Sequence, residues 1–352
     1  MRNGFWNLAA GAFLCLCLLT ACAGENGGKS TDPTGSARPS VTTTGGAVKP
    51  TGEATDPTPS AGTITPEAPS PTDAPEREVV ADVSERRIFC GYHYFAVLRE
   101  DGTVAALGAL SEQERQRMNE WKEIKTLCDD KHTPSALTRD GSVVLADQEA
   151  GEIEVKPVEW ISLDGMYDYV AVDSVGELLI SPGSEGSAAA KGASAVQAAG
   201  AMLLDRYGVI YPMDSIAARR YEKENMAEWD SCVCLAYSNR SGDYYAVRTD
   251  GTVLTTAYLR EIPDWTELVS ISVSGGMVVG LKRDGTVVAH KELEGKEYGN
   301  YAVEEWRDVV EVATNGYYTV GRTSDGRLLC TEIPPEAKVP FTKEDVEALA
   351  SP

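Results

Sequence analysis

Residues able to recognise or transform a ligand gather at a few fixed spacings in this 352-residue chain. Three histidines occur, His93, His132 and His290, and the first two each stand eight residues before an aspartate, Asp101 and Asp140. Tyrosine and acid recur together at Tyr92-His93-Tyr94, Tyr167-Asp168-Tyr169, Asp243-Tyr244-Tyr245 and Tyr317-Tyr318, and Asp129-Asp130 precede the same place in a further copy. Tyrosine offers a large contact area at low entropy cost, so a cluster of them suits a protein partner. Beside carboxylates it also suits cations or sugars. Asp168 and Asp243 are the pair a glycoside-type hydrolase would need, provided they converge. No His/Cys/Asp group has the spacing of metal ligands, and no phosphate-cradling or nucleophile-elbow motif is present, so neither cofactor nor metal is expected.

These residues are carried by a repeated phrase. An apolar strand, Asp-Gly and a second apolar strand appear as FAVLREDGTVAALG (95–108), SALTRDGSVVLA (135–146), YAVRTDGTVLTT (245–256), VGLKRDGTVVAH (279–290) and VGRTSDGRLLCT (320–331). Two weaker copies, around Val175-Gly176 and Tyr207-Gly208, fill the gap. The turn glycines Gly102, Gly141, Gly176, Gly208, Gly251, Gly285 and Gly326 are 39, 35, 32, 43, 34 and 41 residues apart. Asp-Gly between alternating apolar residues signals a hairpin closed by a tight primed turn, which gives Asp101, Asp140, Asp250, Asp284 and Asp325 a structural role. An acid-Trp pair stands upstream of most copies, at Trp121, Trp160, Trp229, Trp265 and Trp306, and leads into a short β-rich run. Recurrence at one repeat position marks these tryptophans as inter-unit packing. Each unit is then three short strands, too small to cover its own apolar faces, and such periods build solenoids, propellers or arrays. Seven units of about 39 residues, set radially, give an all-β seven-bladed propeller over 77–352. Radial repetition turns the tyrosine–aspartate position into a collar, placed just upstream of the strand expected to be innermost. The longest interval holds 214–226, a helical-looking insertion carrying Arg219, Arg220 and Lys223, and Thr342 to Asp345 reads as a capping box on a short last helix.

The pattern resembles the regulator-of-chromosome-condensation repeat family of seven-bladed propellers. The resemblance rests on Cys90-Gly91-Tyr92-His93, Leu98 and Asp101-Gly102, and on Trp265, Ile271, Leu281 and Asp284-Gly285-Thr286-Val287. It weakens in the third and fourth copies, and the fourth lacks its tryptophan. The resemblance implies protein–protein recognition through one face of the ring, and closure by pairing strands from both chain ends, with Val79-Val80 or residues 339–341 supplying the extra strand.

Residues 1–22 form a signal sequence whose apolar run, Leu8 to Leu19, is short for a membrane span. It ends Leu19-Thr20-Ala21-Cys22, a bacterial lipobox with Cys22 as the acylated N-terminus; two or more acyl chains hold a protein firmly. Residues 23–76 are Thr, Ser, Pro and Gly with almost no large apolar side chains, a disordered tether spanning roughly 40 Å. Formal charge is −22. Such a surface opposes nucleic acid and anionic lipid. Cys90, Cys128, Cys232, Cys234 and Cys330 show no CxxC pairing and read as small core residues, with a Cys90–Cys128 bridge as the alternative.

The expected protein is a monomeric, non-catalytic interaction module, lipid-anchored at the cell membrane and facing outside the cytoplasm. Its binding set is Tyr92, His93, Tyr94, Tyr167, Asp168, Asp243, Tyr244 and Tyr317. An enzyme acting on cell-wall polysaccharide or peptide, and a purely structural envelope spacer, are the alternatives.

Overall fold

Strand propensity and turn chemistry repeat seven times, and so does the structure. The computed structural model describes residues 86–128, 132–147, 157–162, 170–173, 178–180, 194–238, 241–257, 265–275, 277–291 and 301–349. The signal sequence, Cys22, the tether, Val79-Val80, Asp129-Asp130 and 163–169 lie outside them. The described residues form seven three-stranded antiparallel sheets, each contiguous in sequence and ordered as the chain runs. They are β1 (Ile88–Cys90), β2 (Tyr94–Leu98) and β3 (Val104–Gly108); β4 (Ile124–Leu127), β5 (Ser135–Thr138) and β6 (Val143–Leu145); β7 (Val158–Ser162), β8 (Val170–Asp173) and β9 (Leu178–Ile180). Then come β10 (Ala195–Ala199), β11 (Met202–Asp205) and β12 (Ile210–Pro212); β13 (Cys232–Tyr237), β14 (Tyr244–Arg248) and β15 (Val253–Thr255). The last two sheets hold β16 (Leu268–Ser274), β17 (Met277–Lys282) and β18 (Val287–Lys291); β19 (Val309–Thr314), β20 (Thr319–Thr323) and β21 (Leu328–Cys330).

The sheets close into a β-propeller. One central cavity of about 240 Å³ is lined by residues from the first strand of every sheet: β1, β4, β7, β10, β13, β16 and β19. The innermost strand is therefore the one after each tryptophan, not the one before each Asp-Gly as the sequence suggested. Buried apolar clusters sit between neighbouring sheets. Phe89, Tyr94 and Leu98 meet Trp121, Ile124 and Leu127. Ala236, Tyr245 and Val247 meet Leu268 and Ile271, with half-buried Trp265 against them. The circle is completed by Ile88, Cys90, Phe95 and Val97 packing on Tyr318, Val320, Leu328 and Cys330. No sheet buries both of its faces alone, so burial at about 25 cal/mol per Å² is collected between sheets and requires closure.

Closure does not use a shared strand among the described residues. Residues 339–341 form no strand; Phe341 instead packs edge-on against Tyr318, ring centroids 6.0 Å apart, and Val346 of α3 (Lys343–Ala348) joins the same cluster. Thr342 and Asp345 cap α3 reciprocally, as their spacing predicts.

The Asp-Gly turns are also tighter in role than expected. Within these turns only the glycine has positive φ, +79° at Gly102 and +82° at Gly251. Gly102 N donates to Arg99 O at 3.1 Å and Arg99 N to Thr103 O at 2.8 Å, a type I turn with a closing αL glycine rather than a primed two-residue turn. The aspartate caps it: Asp101 Oδ1 accepts from Thr103 N at 2.9 Å and Thr103 Oγ1 at 2.6 Å, and Asp250 and Asp284 repeat both bonds with Thr252 and Thr286. These bonds hold the carboxyls of Asp101, Asp250 and Asp284 below the usual carboxylate range; Thr138 Oγ1 and Ser142 lower that of Asp140, and Thr323 Oγ1 and Arg327 hold that of Asp325 at about 2. In the fourth copy Asp205, at the turn's first position, takes over by accepting from Tyr207 N and Val209 N, both at 2.9 Å.

Neighbouring sheets are stitched where these turns meet the next innermost strand. Val158 N, Cys232 N, Leu268 N and Val309 N donate to the carbonyls of Gly141, Gly208, Gly251 and Gly285 at 3.0–3.2 Å. A side chain on Gly251 would come within 2.6 Å of Glu267 backbone.

Candidate functional site

The loops that join first to second strands all emerge on one face of the ring, because the strands alternate in direction. Residues 91–93, 128, 132–134, 200–201, 238, 241–243, 275 and 315–318 are the described parts of those loops. Every sequence-chosen site residue that is described lies on that face or at its edge; Tyr167 and Asp168 fall outside the described residues.

Their environments divide them. His93 is exposed, and Tyr92 and Tyr317 are half-buried. Tyr92 meets exposed His132 edge to face, ring centroids 5.2 Å apart, across neighbouring sheets. Tyr94 and Tyr244 are instead buried, at 2 % and 4 % exposure. Tyr94 Oη donates to Thr133 O at 3.0 Å, and Tyr244 Oη accepts from Ala201 N at 3.2 Å, so both hydroxyls bridge to the adjacent sheet. Burial raises the Tyr244 phenol above its ordinary value. The collar is thus two structures: inward tyrosines that bolt sheets together, and an outward arc of Tyr92, His93, His132 and Tyr317.

Asp243 is half-buried and engaged. Arg220 Nη2 lies 3.7 Å from Asp243 Oδ1, and Thr256 Oγ1 donates to the same oxygen at 3.4 Å. Arg220 belongs to α2 (Ser215–Lys223), in the longest inter-turn interval, capped by Asp214 and anchored by buried Ala217 and Tyr221. Its guanidinium stands 5.1 Å over the Tyr244 ring. Sequence reading marked this helix but not its contact, since nothing local links residue 220 to 243.

The channel wall carries residues that the sequence did not single out. In six innermost strands a bulge shifts the register after the first residue. In three of them the residue that follows is a polar side chain that reaches across to the neighbouring sheet. Thr126 Oγ1 accepts from Arg86 N at 2.8 Å, Gln197 Oε1 from Leu235 N at 2.9 Å, and Glu311 Oε1 from Arg87 N and Ile88 N at 2.9 and 3.1 Å. These bonds satisfy edge amides that no fourth strand pairs. Glu311 joins the last sheet to the first, and its Oε2 accepts from Arg322 Nε at 3.1 Å. Burial raises the Glu311 carboxyl above its ordinary value, against the two amides and Arg322, which hold it down.

His290 is half-buried, edge-on to Trp265 at 6.4 Å, and burial lowers its pKa. Among the described residues no three His, Cys, Asp or Glu side chains gather as a metal site. Cys90, Cys128, Cys232, Cys234 and Cys330 stand as thiols, with no bridge between Cys90 and Cys128. Burial pushes Cys232 and Cys330 up to about 12.

Fold and site define a closed β-propeller of contiguous blades with one aromatic, imidazole-bearing loop face. Among solved structures the chain is similar to the computationally designed protein Ika8, at 14 % identity and TM-score 0.41, over 72 % of this chain and 86 % of that one. It is similar to Prp20p of Saccharomyces cerevisiae at 11 % identity and TM-score 0.33, over 69 % and 70 %. It is similar also to the ectodomain of the Physcomitrella patens receptor kinase CR4 at 10 % identity and TM-score 0.43, over 70 % and 72 %. No family model matches the chain, and no curated protein does.

Proposed function

We propose that this chain is a non-catalytic interaction module of the regulator-of-chromosome-condensation repeat type, lipid-anchored at Cys22 outside the cytoplasm, which binds a protein partner through the loop face. One observation carries the reading. Tyr92, His93, His132 and Tyr317 come from the first, second and last sheets and stand at the surface of one face, where the comparable tyrosines Tyr94 and Tyr244 are buried. Aromatic side chains grouped at a rim give a partner large contact area at low ordering cost. The carboxylate that a hydrolytic reading needs, Asp243, faces Arg220 at 3.7 Å and accepts from Thr256 instead.

The test uses the full chain, expressed with a C-terminal tag in a bacterial host and cross-linked in intact cells. Tyr92→Ala/His93→Ala should lose a partner that a Glu100→Ala change on the opposite, turn-bearing face retains, with both variants melting like the parent. A partner kept by both variants overturns the loop-face assignment. Cys22→Ala should move the protein from the membrane to the soluble fraction; membrane retention overturns the anchor.

A further inference from the structure

The face that the proposed function uses contains an aromatic and acidic cradle with a guanidinium already in it. Tyr237 and Tyr244 pack with ring centroids 4.8 Å apart. Arg220 Cζ stands 5.1 Å over Tyr244, and its Nη2 is 3.7 Å from Asp243 Oδ1 and 3.4 Å from Thr256 Oγ1. Thr256 Oγ1 ties the set together, accepting from Tyr244 N at 3.0 Å while donating to Asp243. Gly242, at φ +78°, leaves the floor open: a side chain there would meet Arg220 Nη1 at 3.4 Å and Tyr237 Oη at 3.9 Å. A flat cation over a ring with a carboxylate at its edge is the geometry that selects arginine over lysine.

Arg220 fits this cradle loosely. Its Nη2 is beyond hydrogen-bond reach of Asp243, and its buried Nε has no acceptor. The helix that carries it is held independently, by Ala217 and Tyr221 in the core, so the side chain can leave without the helix. About a third of the Arg220 side chain is exposed, and Tyr237 is half-buried, so the cradle opens to solvent.

We propose that Tyr237, Tyr244, Asp243 and Thr256 form an arginine-recognition subsite, and that Arg220 of α2 is its built-in occupant, displaced when a partner inserts an arginine side chain. The proposal rests on the loop face being the binding face, and it makes α2 a competitor that sets the affinity threshold for partners.

The probe is Nα-acetyl-L-arginine methylamide, titrated calorimetrically into the full chain. Arg220→Ala, which removes the competitor and leaves α2 docked, should bind it at least about tenfold more tightly than the parent, and Asp243→Asn on that background should abolish the gain. The lysine analogue should bind several-fold more weakly than the arginine probe. Equal binding by parent and Arg220→Ala, a gain that survives Asp243→Asn, or equal binding of the two analogues would overturn the proposal. Thermal melts show whether each variant is folded; if Arg220→Ala unfolds, Arg220→Gln takes its place with the same expectations. Because the probe needs no natural partner, a failed cross-linking experiment with intact binding here refutes the partner reading alone, and the converse refutes the subsite alone.

Discussion

Replacing Glu311 with alanine should open the ring at one seam, because one carboxylate there serves two strands that no sheet joins. Its Oε1 takes the amides of Arg87 and Ile88 across the junction between last and first sheets, and its Oε2 takes Arg322. Removing it takes the carboxylate acceptor away from two amides and a guanidinium. A buried donor left unsatisfied costs about 1–3 kcal/mol. Glu311 retains 17 % side-chain exposure, toward the channel, so water recovers part of that loss. The expected destabilisation is therefore about 2–4 kcal/mol, or roughly 5–15 °C in Tm for a domain of this size. Glu311→Gln keeps one carbonyl for both amides and loses the negative charge facing Arg322, so it should fall between parent and alanine. Thermal unfolding of the full chain by circular dichroism at neutral pH reads all three. If Glu311→Ala melts within about 1 °C of the parent, the amides are satisfied without the carboxylate and the seam is held by apolar packing alone.

Acidity should act on the ring in two opposed ways. Glu311 has a folded pKa above its ordinary 4.5, so its contribution is fully present below that value and is lost as pH rises through the folded one. The turn aspartates have folded values below 3.8, with Asp325 at about 2, so theirs is present above 3.8 and is lost as pH falls. Urea unfolding against pH should thus show a maximum on the acid side of neutrality; Glu311→Gln should flatten the neutral limb, and Asp325→Asn the limb below pH 3.8. Gly251→Ala should cost more than Gly326→Ala, since both have positive φ but only Gly251 meets neighbouring backbone, at 2.6 Å. The αL strain alone is about 1–2 kcal/mol, and any excess at Gly251 in denaturant unfolding measures the contact between sheets. Cys90, Cys232 and Cys330 should resist iodoacetamide at pH 8 until the protein is unfolded, because burial keeps their thiols protonated; native-state labelling followed by peptide mapping checks this.

What sequence reveals here is what the repeat enforces. Asp-Gly, tryptophan and alternating apolar residues recur because each unit solves one local problem, a hairpin with a neighbour to pack against, and the β-propeller follows. What stays hidden is set by partners far along the chain. Glu311 resembles any strand glutamate until residue 87 lies beside it, 224 positions away. Arg220 belongs to an evident helix, yet its ring contact needs two distant loops to meet. Asp205 replaces the missing turn aspartate from two positions earlier, which a search for Asp-Gly passes over. Glu123, Ser231, Glu267 and Asp308 hold φ of 53–64°, each two residues after a tryptophan, but none is a glycine or asparagine that would announce it. One local signal is legible in the sequence: Ser111 and Glu114 form a capping box on α1 (Glu112–Glu120), between the first two sheets. Among the tyrosines, a step or two along the loop decides whether a ring points between sheets or out of them, as buried Tyr94 and half-buried Tyr92 show.

Because every blade is finished before the next begins, the circle has no obligatory starting point. Among the described residues its ends meet through side chains instead of interwoven backbone, so a new pair of termini cut between any two blades would leave the hairpins whole. Copies of the unit can then be lost, gained or reshuffled by recombination without unpicking any hydrogen-bond ladder. Divergence would be tolerated first in the copies whose turns have a stand-in, and would be resisted longest at the join where Glu311 adds its bonds to the apolar packing.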